Sequence, residues 1–295
     1  MPALLVITHI TRYDYDRPVS FGEHRLLVRP RDGHDLRVIE ASLQISPAAN
    51  LRWNFDAFGN SVALAVFSEP ADHLEIQSEL LIKRYAQETT FLGDSNDRAR
   101  MPLVYTDEYS IDLAPFIQLE FPQERAALMS WLDQEFDDRP AEIMAFLRAL
   151  SAKIHASFGY LRREESGTQT ALETLSRKSG TCRDFAFFFM ECARIFGFAS
   201  RFVTGYLHVR ADMSEPFTGG GSTHAWADVY IPGEGWIEFD PTNLIDDNQA
   251  LIRIAVTRTP LQAIPISGTY ERADARFLGM SVVVSVREIE EEPSA

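Results

Sequence analysis

The stretch Gly180-Thr181-Cys182-Arg183-Asp184-Phe185 constrains this chain more than any other. Thr181-x-x-Asp184 has the form of a capping box, in which the first side chain accepts from the third helical N–H and the fourth reaches back. Phe185, Phe188, Phe189, Cys192 and Phe196 then recur at the spacing of one buried helical face. The pattern predicts a helix that starts at Cys182, with Thr181 as its N-cap, and that lies against a core. A thiol there sits at the positive end of the helix dipole, where a thiolate is favoured, beside N–H groups that have no partner inside the helix. The same N–H groups are placed to bind an oxyanion. Gly180 permits the close approach of another backbone or of a substrate.

A second constrained stretch runs from Ser222 to Thr242 and reads as strand, tight turn, strand. His224, Trp226, Asp228 and Tyr230 alternate onto one face, and Ala225, Ala227, Val229 and Ile231 onto the other. A four-residue loop pairing Ile231 with Trp236 would set Ala227 opposite Asp240 and leave His224 on the wrong face. A three-residue loop with Gly235 as a bulge sets Trp226 opposite Asp240, which becomes a diagonal neighbour of His224 on the same face. Gly235 accepts positive φ, and the bulged register is expected. His224 is then placed to take a proton from Cys182 or to hold a thiolate–imidazolium pair, with Asp240 orienting the ring. The other carboxylate, Asp228, is about 13 Å along the strand from His224 at ~3.3 Å per residue, too far to do so.

The order Cys, His, Asp in G-T-C-R-D-F-A, T-H-A-W and F-D-P-T-N resembles the bacterial transglutaminase-like superfamily, relatives of papain-like enzymes. Thr11-Arg12-Tyr13-Asp14-Tyr15, His24-Arg25-Leu26 and Arg29-Pro30-Arg31 are similar to the β-rich N-terminal region of bacterial members, and Ile252 to Val256 and Pro265 to Gly268 also look familial. The resemblance implies Cys182 as nucleophile, His224 as base and Asp240 as orienting acid, with an acyl-enzyme resolved by water in a peptidase or amidase, or by an amine in a transglutaminase. It requires no cofactor and no metal, and its partner is a peptide or protein substrate. By rougher resemblance Tyr160 is a candidate second oxyanion donor; Trp226, on the face of His224, is a candidate site wall. Other classes stay open: a peptide-binding module with an unused triad, a redox thiol, for which no resolving cysteine is nearby, and a metal site of Cys182, His208 and His224, which lacks CxxC or HxxxH spacing. Asp184 reads as a helix cap. Cys192 reads as a buried hydrophobe, and the remaining histidines as structural.

The rest of the chain reads as scaffold. Its 295 residues suffice for two cores, and 45% hydrophobic and 24% charged residues are those of a globular protein. A net charge of −15 argues against nucleic acid and anionic membranes as partners. Ala3 to Ile7 lacks a basic region before it and reads as a first strand, no stretch suits a bilayer span, and a cytoplasmic location is the default expectation. The two cysteines, on one predicted helix and about 15 Å apart at ~1.5 Å per residue, cannot bridge. Short alternating runs up to about residue 106 suggest an antiparallel β-sandwich-like module, and the proline-interrupted stretch Met101 to Phe121 reads as an irregular junction. The expected fold is α+β: a β-rich module over 1–110, then a core over 111–295 with the cysteine helix packed on an antiparallel sheet. Helices are expected after Pro122, over Ile143 to Ile154 and over Thr170 to Leu175. The glycines 219–221 form a loop directly before His224. Ser281 to Val286, nearly continuous in apolar residues, is expected to be a strand of the core buried on both faces, followed by an acidic tail, Glu288 to Glu292.

Overall fold

Alternating apolar and polar residues over the first third of the chain form six antiparallel strands: β1 (Ala3–Phe21), β2 (His24–Arg29), β3 (Leu36–Ser46), β4 (Ala49–Phe55), β5 (Ser61–Phe67) and β6 (Ala71–Arg84). The computed structural model describes residues 2–85, 100–162, 167–208, 218–246, 250–272 and 274–290. Next come α1 (Asp107–Ile117), α2 (Arg125–Glu135), α3 (Ile143–Ser157), β7 (Gly159–Tyr160), α4 (Ala171–Arg177), β8 (Ser179–Gly180) and α5 (Cys182–Ile195). The chain then forms β9 (Ser200–Leu207), β10 (His224–Ile231), β11 (Gly235–Phe239), β12 (Leu251–Thr257), β13 (Ile266–Ser267), β14 (Tyr270–Glu271) and β15 (Phe277–Ile289). The fold is α+β.

The N-terminal strands make two sheets, β3-β6-β1 continued by β15 and β14, and β13-β2-β5-β4. Tyr15, Val19, Phe21, Leu26, Val28, Ala63, Leu74 and Ile76 fill the space between them, as alternation in a two-layer sandwich requires. The core sheet has the order β11-β10-β9-β12, antiparallel throughout. Ala225, Ala227, Val229 and Ile231 meet Phe185, Phe188 and Phe189 of α5 in the largest apolar cluster. These aromatic contacts give the cysteine helix its position.

Two stretches differ from the sequence reading. Asp107 to Ile117, read as an irregular junction, is a helix: Thr106 stands at its N-cap, Asp107 and Glu108 complement the dipole in its first turn, and Pro115 falls in its last turn. The C-terminal strands, expected in the core, return to the sandwich: β15 runs antiparallel to β1 from Leu4↔Ile289 to Tyr15↔Phe277, and β13 pairs with β2. Ser281 to Val286 is therefore an edge strand, with Val283 57% exposed, rather than one buried on both faces. Glu291 and Glu292 of the acidic tail lie outside the described residues.

The sandwich packs on the β12 edge of the core sheet. Leu5, Ile7, Leu80 and Ile82 meet Tyr206, Ile252 and Ile254, while Leu27 and Val62 meet Ala255. The Asn60 side chain covers the backbone of that edge, accepting from Val256 N–H at 2.9 Å and donating to Val256 C=O at 2.7 Å. Among the described residues no helix is long and apolar enough to cross a membrane.

Candidate active site

Cys182 is the first residue of α5, as the capping pattern predicts, with extended Thr181 before it. The buried Asp184 carboxylate accepts from Thr181 N–H at 2.7 Å and from the Thr181 hydroxyl at 2.9 Å. It also accepts from Gln169, at 2.7 Å from the backbone N–H and 3.2 Å from the side-chain amide. Asp184 is thus a cap that also ties the preceding loop to the helix. The room left at Gly180 is used by this chain itself: a Cβ there would stand 2.8 Å from Asp184 Cβ and 3.2 Å from the Phe185 ring.

The hairpin adopts the bulged register. Ile231 pairs with Gly235 across a three-residue turn and Ala227 with Phe239, so the next step sets Trp226 opposite Asp240. Gly235 has φ +82°, the left-handed conformation that the bulge needs. His224 and Asp240 are brought together: Nε2 lies 2.8 Å from Asp240 Oδ2, with both side chains buried. Burial alone would lower the pKa of His224, but the charge of Asp240, then that of Cys182, raise it to about 10. Burial likewise opposes ionisation of Asp240, yet His224 and hydrogen bonds from Asn243 and Thr242 hold its pKa below the ordinary value.

The second ring nitrogen, Nδ1, is buried and makes no hydrogen bond of ordinary geometry. Gly219 backs onto it: a Cβ there would stand 3.2 Å from His224 Nδ1 and 3.6 Å from the Tyr160 hydroxyl. Tyr160 is delivered by the parallel pairing of β7 with β8, in which Tyr160 opposes Gly180. Burial, then the charge of Cys182, raise its pKa to about 12. Cys182, His224 and Tyr160 therefore share one small space. Trp226 is fully buried, with its ring stacked at 26° on His224 at a centroid distance of 6.3 Å. It backs the imidazole rather than lining an opening.

Asp228 is engaged elsewhere, 2.8 Å from Arg201. His208 lies 3.9 Å from Glu288, and no three His, Cys, Asp or Glu residues among those described are grouped to hold a metal ion. Cys192 is buried on α5, where desolvation pushes its thiol pKa well up. One residue of the site had no role assigned from sequence. Asn243 Nδ2 donates to Asp240 Oδ2 at 2.9 Å, while its amide exchanges hydrogen bonds with the Thr218 backbone at 2.8 and 3.2 Å. Its place three residues after Asp240, in a turn, is the one sequence signal that pointed to it.

A cysteine at a helix N-terminus, facing a histidine and a carboxylate on an antiparallel sheet, places the fold in the papain-like class. Family models refine this: the bacterial transglutaminase-like N-terminal region matches residues 5–83, and the transglutaminase-like superfamily matches residues 132–241. The chain belongs to the transglutaminase-like superfamily, in the bacterial arrangement that joins these two parts. It is similar to an uncharacterised protein of Mycobacterium leprae, 27% identical over 285 residues, with 95% of this chain and 97% of the relative covered. A Mycobacterium tuberculosis protein, also uncharacterised, is 27% identical over 296 residues, with 94% and 91% covered. Among solved structures, a candidate cysteine protease from Cytophaga hutchinsonii has the same fold, with a TM-score of 0.75, 18% identity, and 100% of this chain and 93% of that one covered.

Proposed function

We propose that this protein is a thiol-dependent acyl-transfer enzyme acting on peptide or carboxamide bonds, with hydrolysis as its main outcome. The observation that carries the reading is the buried His224, held at 2.8 Å by Asp240 and polarised on its other side by Cys182 at the start of α5. In the proposed cycle, Cys182 Sγ adds to the carbonyl carbon. The oxyanion is met by the N–H groups at the start of α5, with the Tyr160 hydroxyl, which stays protonated to about pH 12, as a second donor. His224 gives its proton to the leaving amine, the C–N bond breaks, and an acyl-enzyme remains. Water, deprotonated by His224, then releases the acid and the free thiol. The description of the Cytophaga hutchinsonii protein supports the peptidase side of this reading, and the superfamily name supports its alternative, release of the acyl group by an amine. The non-catalytic peptide-binding reading has no observation of its own.

The test is the rate of Cys182 alkylation against pH in Cys192→Ala, with and without His224→Ala. A thiolate–imidazolium pair keeps alkylation fast well below neutral pH and loses that reactivity without His224. A rate that rises only near an ordinary thiol pKa of about 8.5, unchanged by His224→Ala, would count against it. Amine release from a peptide-amide library, measured with and without an added primary amine, separates hydrolysis from transfer. Binding without release would support the non-catalytic reading.

A further inference from the structure

The loop that precedes His224 lies directly against its ring. A Cβ on Gly219 would stand 3.2 Å from His224 Nδ1 and 3.6 Å from the Tyr160 hydroxyl, whereas Gly220 and Gly221 are exposed to solvent. Nδ1 is the nitrogen left to serve Cys182, because Nε2 is taken by Asp240. Residues 218–222 therefore form a strap, with the reacting groups on one side and solvent on the other. Beneath it Cys182 is 6% exposed and His224 1%. Attack on a carbonyl needs the reacting atoms within about 3.5 Å of each other, which so closed a thiol does not allow to a peptide.

Hydrogen bonds hold the strap at both ends. Thr218 N–H donates to Asn243 Oδ1 at 2.8 Å, and Asn243 Nδ2 donates back to Thr218 C=O at 3.2 Å. At the other end Gly221 C=O accepts from Val284 N–H of β15 at 2.9 Å. None of the five residues, Thr-Gly-Gly-Gly-Ser, carries a large apolar side chain to anchor it. Gly219 and Gly221 sit at φ +93° and +79°, a region that glycine enters and leaves at little cost. Behind the strap, a space of about 240 Å³ is walled by Gly220, Gly221, Ser222, Leu207, Val284 and Val286, with no contribution from Cys182, Tyr160 or His224. Withdrawal towards β15 parts Thr218 from Asn243 and keeps the bond of Gly221.

We propose that this strap is a lid, hinged at β15 and latched by Asn243, which must lift before a substrate carbonyl reaches Cys182. The proposal rests on the acyl-transfer reading only in taking Cys182 as the reacting group. Asn243 is then a positioning residue with two tasks. The Nδ2 that donates to Thr218 also donates to Asp240 Oδ2 at 2.9 Å, so closure fixes the amide in the orientation that holds Asp240 against His224. Closing over a bound substrate completes the catalytic arrangement. The hinge belongs to a strand of the sandwich, which thereby acts on a site built by the core.

The test compares two reagents with one reactive group, iodoacetamide and a dye-linked iodoacetamide, on the full chain carrying Cys192→Ala. Each rate is normalised to that with free cysteine. The ratio of the two cancels the ionisation of the thiol and reads access alone, so a failure of the thiolate–imidazolium pair slows both reagents and leaves the ratio in place. The expected result is a bulky reagent far slower than the small one in the parent. In Asn243→Ala the ratio moves roughly tenfold towards one, for two lost hydrogen bonds. Gly219→Ala, whose Cβ crowds His224 Nδ1, lifts the strap by another route and moves the ratio the same way. Equal rates for the two reagents in the parent would show an open site and overturn the proposal. So would an unchanged ratio in folded Asn243→Ala, which would leave Asn243 as a support of Asp240 only, or in Gly219→Ala where the first variant does not fold. A thiol closed to both reagents in parent and variant alike would count the same way.

Discussion

At the residue scale, the candidate site depends on how Asp240 is held. Its two oxygens serve His224 Nε2 and Asn243 Nδ2 on one side and Thr242 N–H on the other, so the carboxylate cannot turn without breaking a buried bond. Asp240→Asn keeps the shape but removes the charge that raises the His224 pKa to about 10. Under the proposed mechanism, the expected outcome is turnover lower by on the order of 10⁴-fold, as for a histidine left in the wrong tautomer. Near-wild-type turnover in this variant would remove Asp240 from the mechanism. The Cys, His and Asp positions were legible because each sits in a local pattern: a helix cap, an alternating strand, and a turn. Asn243 was not, because its role is to join Asp240 to the Thr218 backbone, a contact across 25 residues that no local pattern encodes.

At the scale of elements, α5 carries the site, and its first turn is fixed from outside the helix. Asp184 accepts two hydrogen bonds from Thr181 and two from Gln169. Asp184→Ala leaves these without their acceptor, and buried unsatisfied donors cost about 1 to 3 kcal/mol each. The expected loss of stability is about 3 kcal/mol or more, read as a lower urea midpoint with little change in its slope, and Asp184→Asn should lose less. A midpoint unchanged by Asp184→Ala would mean that the cap adds nothing. The hairpin register was equally legible, because Gly235 restricts the turn types available and a one-residue slip would expose the Ala225 to Ile231 face. Helix α1 was missed for the opposite reason. Pro115 and the prolines flanking the segment read as breakers, whereas Pro115 falls in the last turn, and Leu113 is buried with Tyr105 and Ala199.

At the scale of the whole molecule, the sandwich and the core meet through polar as well as apolar contacts. His9 of β1 is buried, 2.9 Å from the Tyr206 hydroxyl of β9 and 3.0 Å from Thr11. Burial lowers its pKa to about 4. The unfolded chain, with an ordinary histidine, binds the extra proton first, so the stability His9 contributes is fully present above about pH 6.5 and fades as pH falls towards 4. His9→Gln should remove that part of the acid dependence, on the order of 3 kcal/mol between pH 7 and 4, visible as a flatter plot of urea midpoint against pH. Identical slopes for wild type and variant would show that His9 does not set it.

The sequence by itself determined the local geometry: a helix starting at Cys182, strands with His224 and Asp240 on one face, and a β-rich first third. Each follows from interactions within a few residues, where capping, alternation and turn chemistry act. Only the tertiary structure decided that β15 closes the N-terminal sandwich instead of joining the core, that Tyr160 lies beside His224, and that the loop before His224 is fastened to Asn243 and to β15. These depend on which distant surfaces bury one another, and apolar burial rewards any partner of suitable shape. An apolar run such as Ser281 to Val286 states that it will pair, and its partner was settled by the open edge of β1 on the far side of the chain.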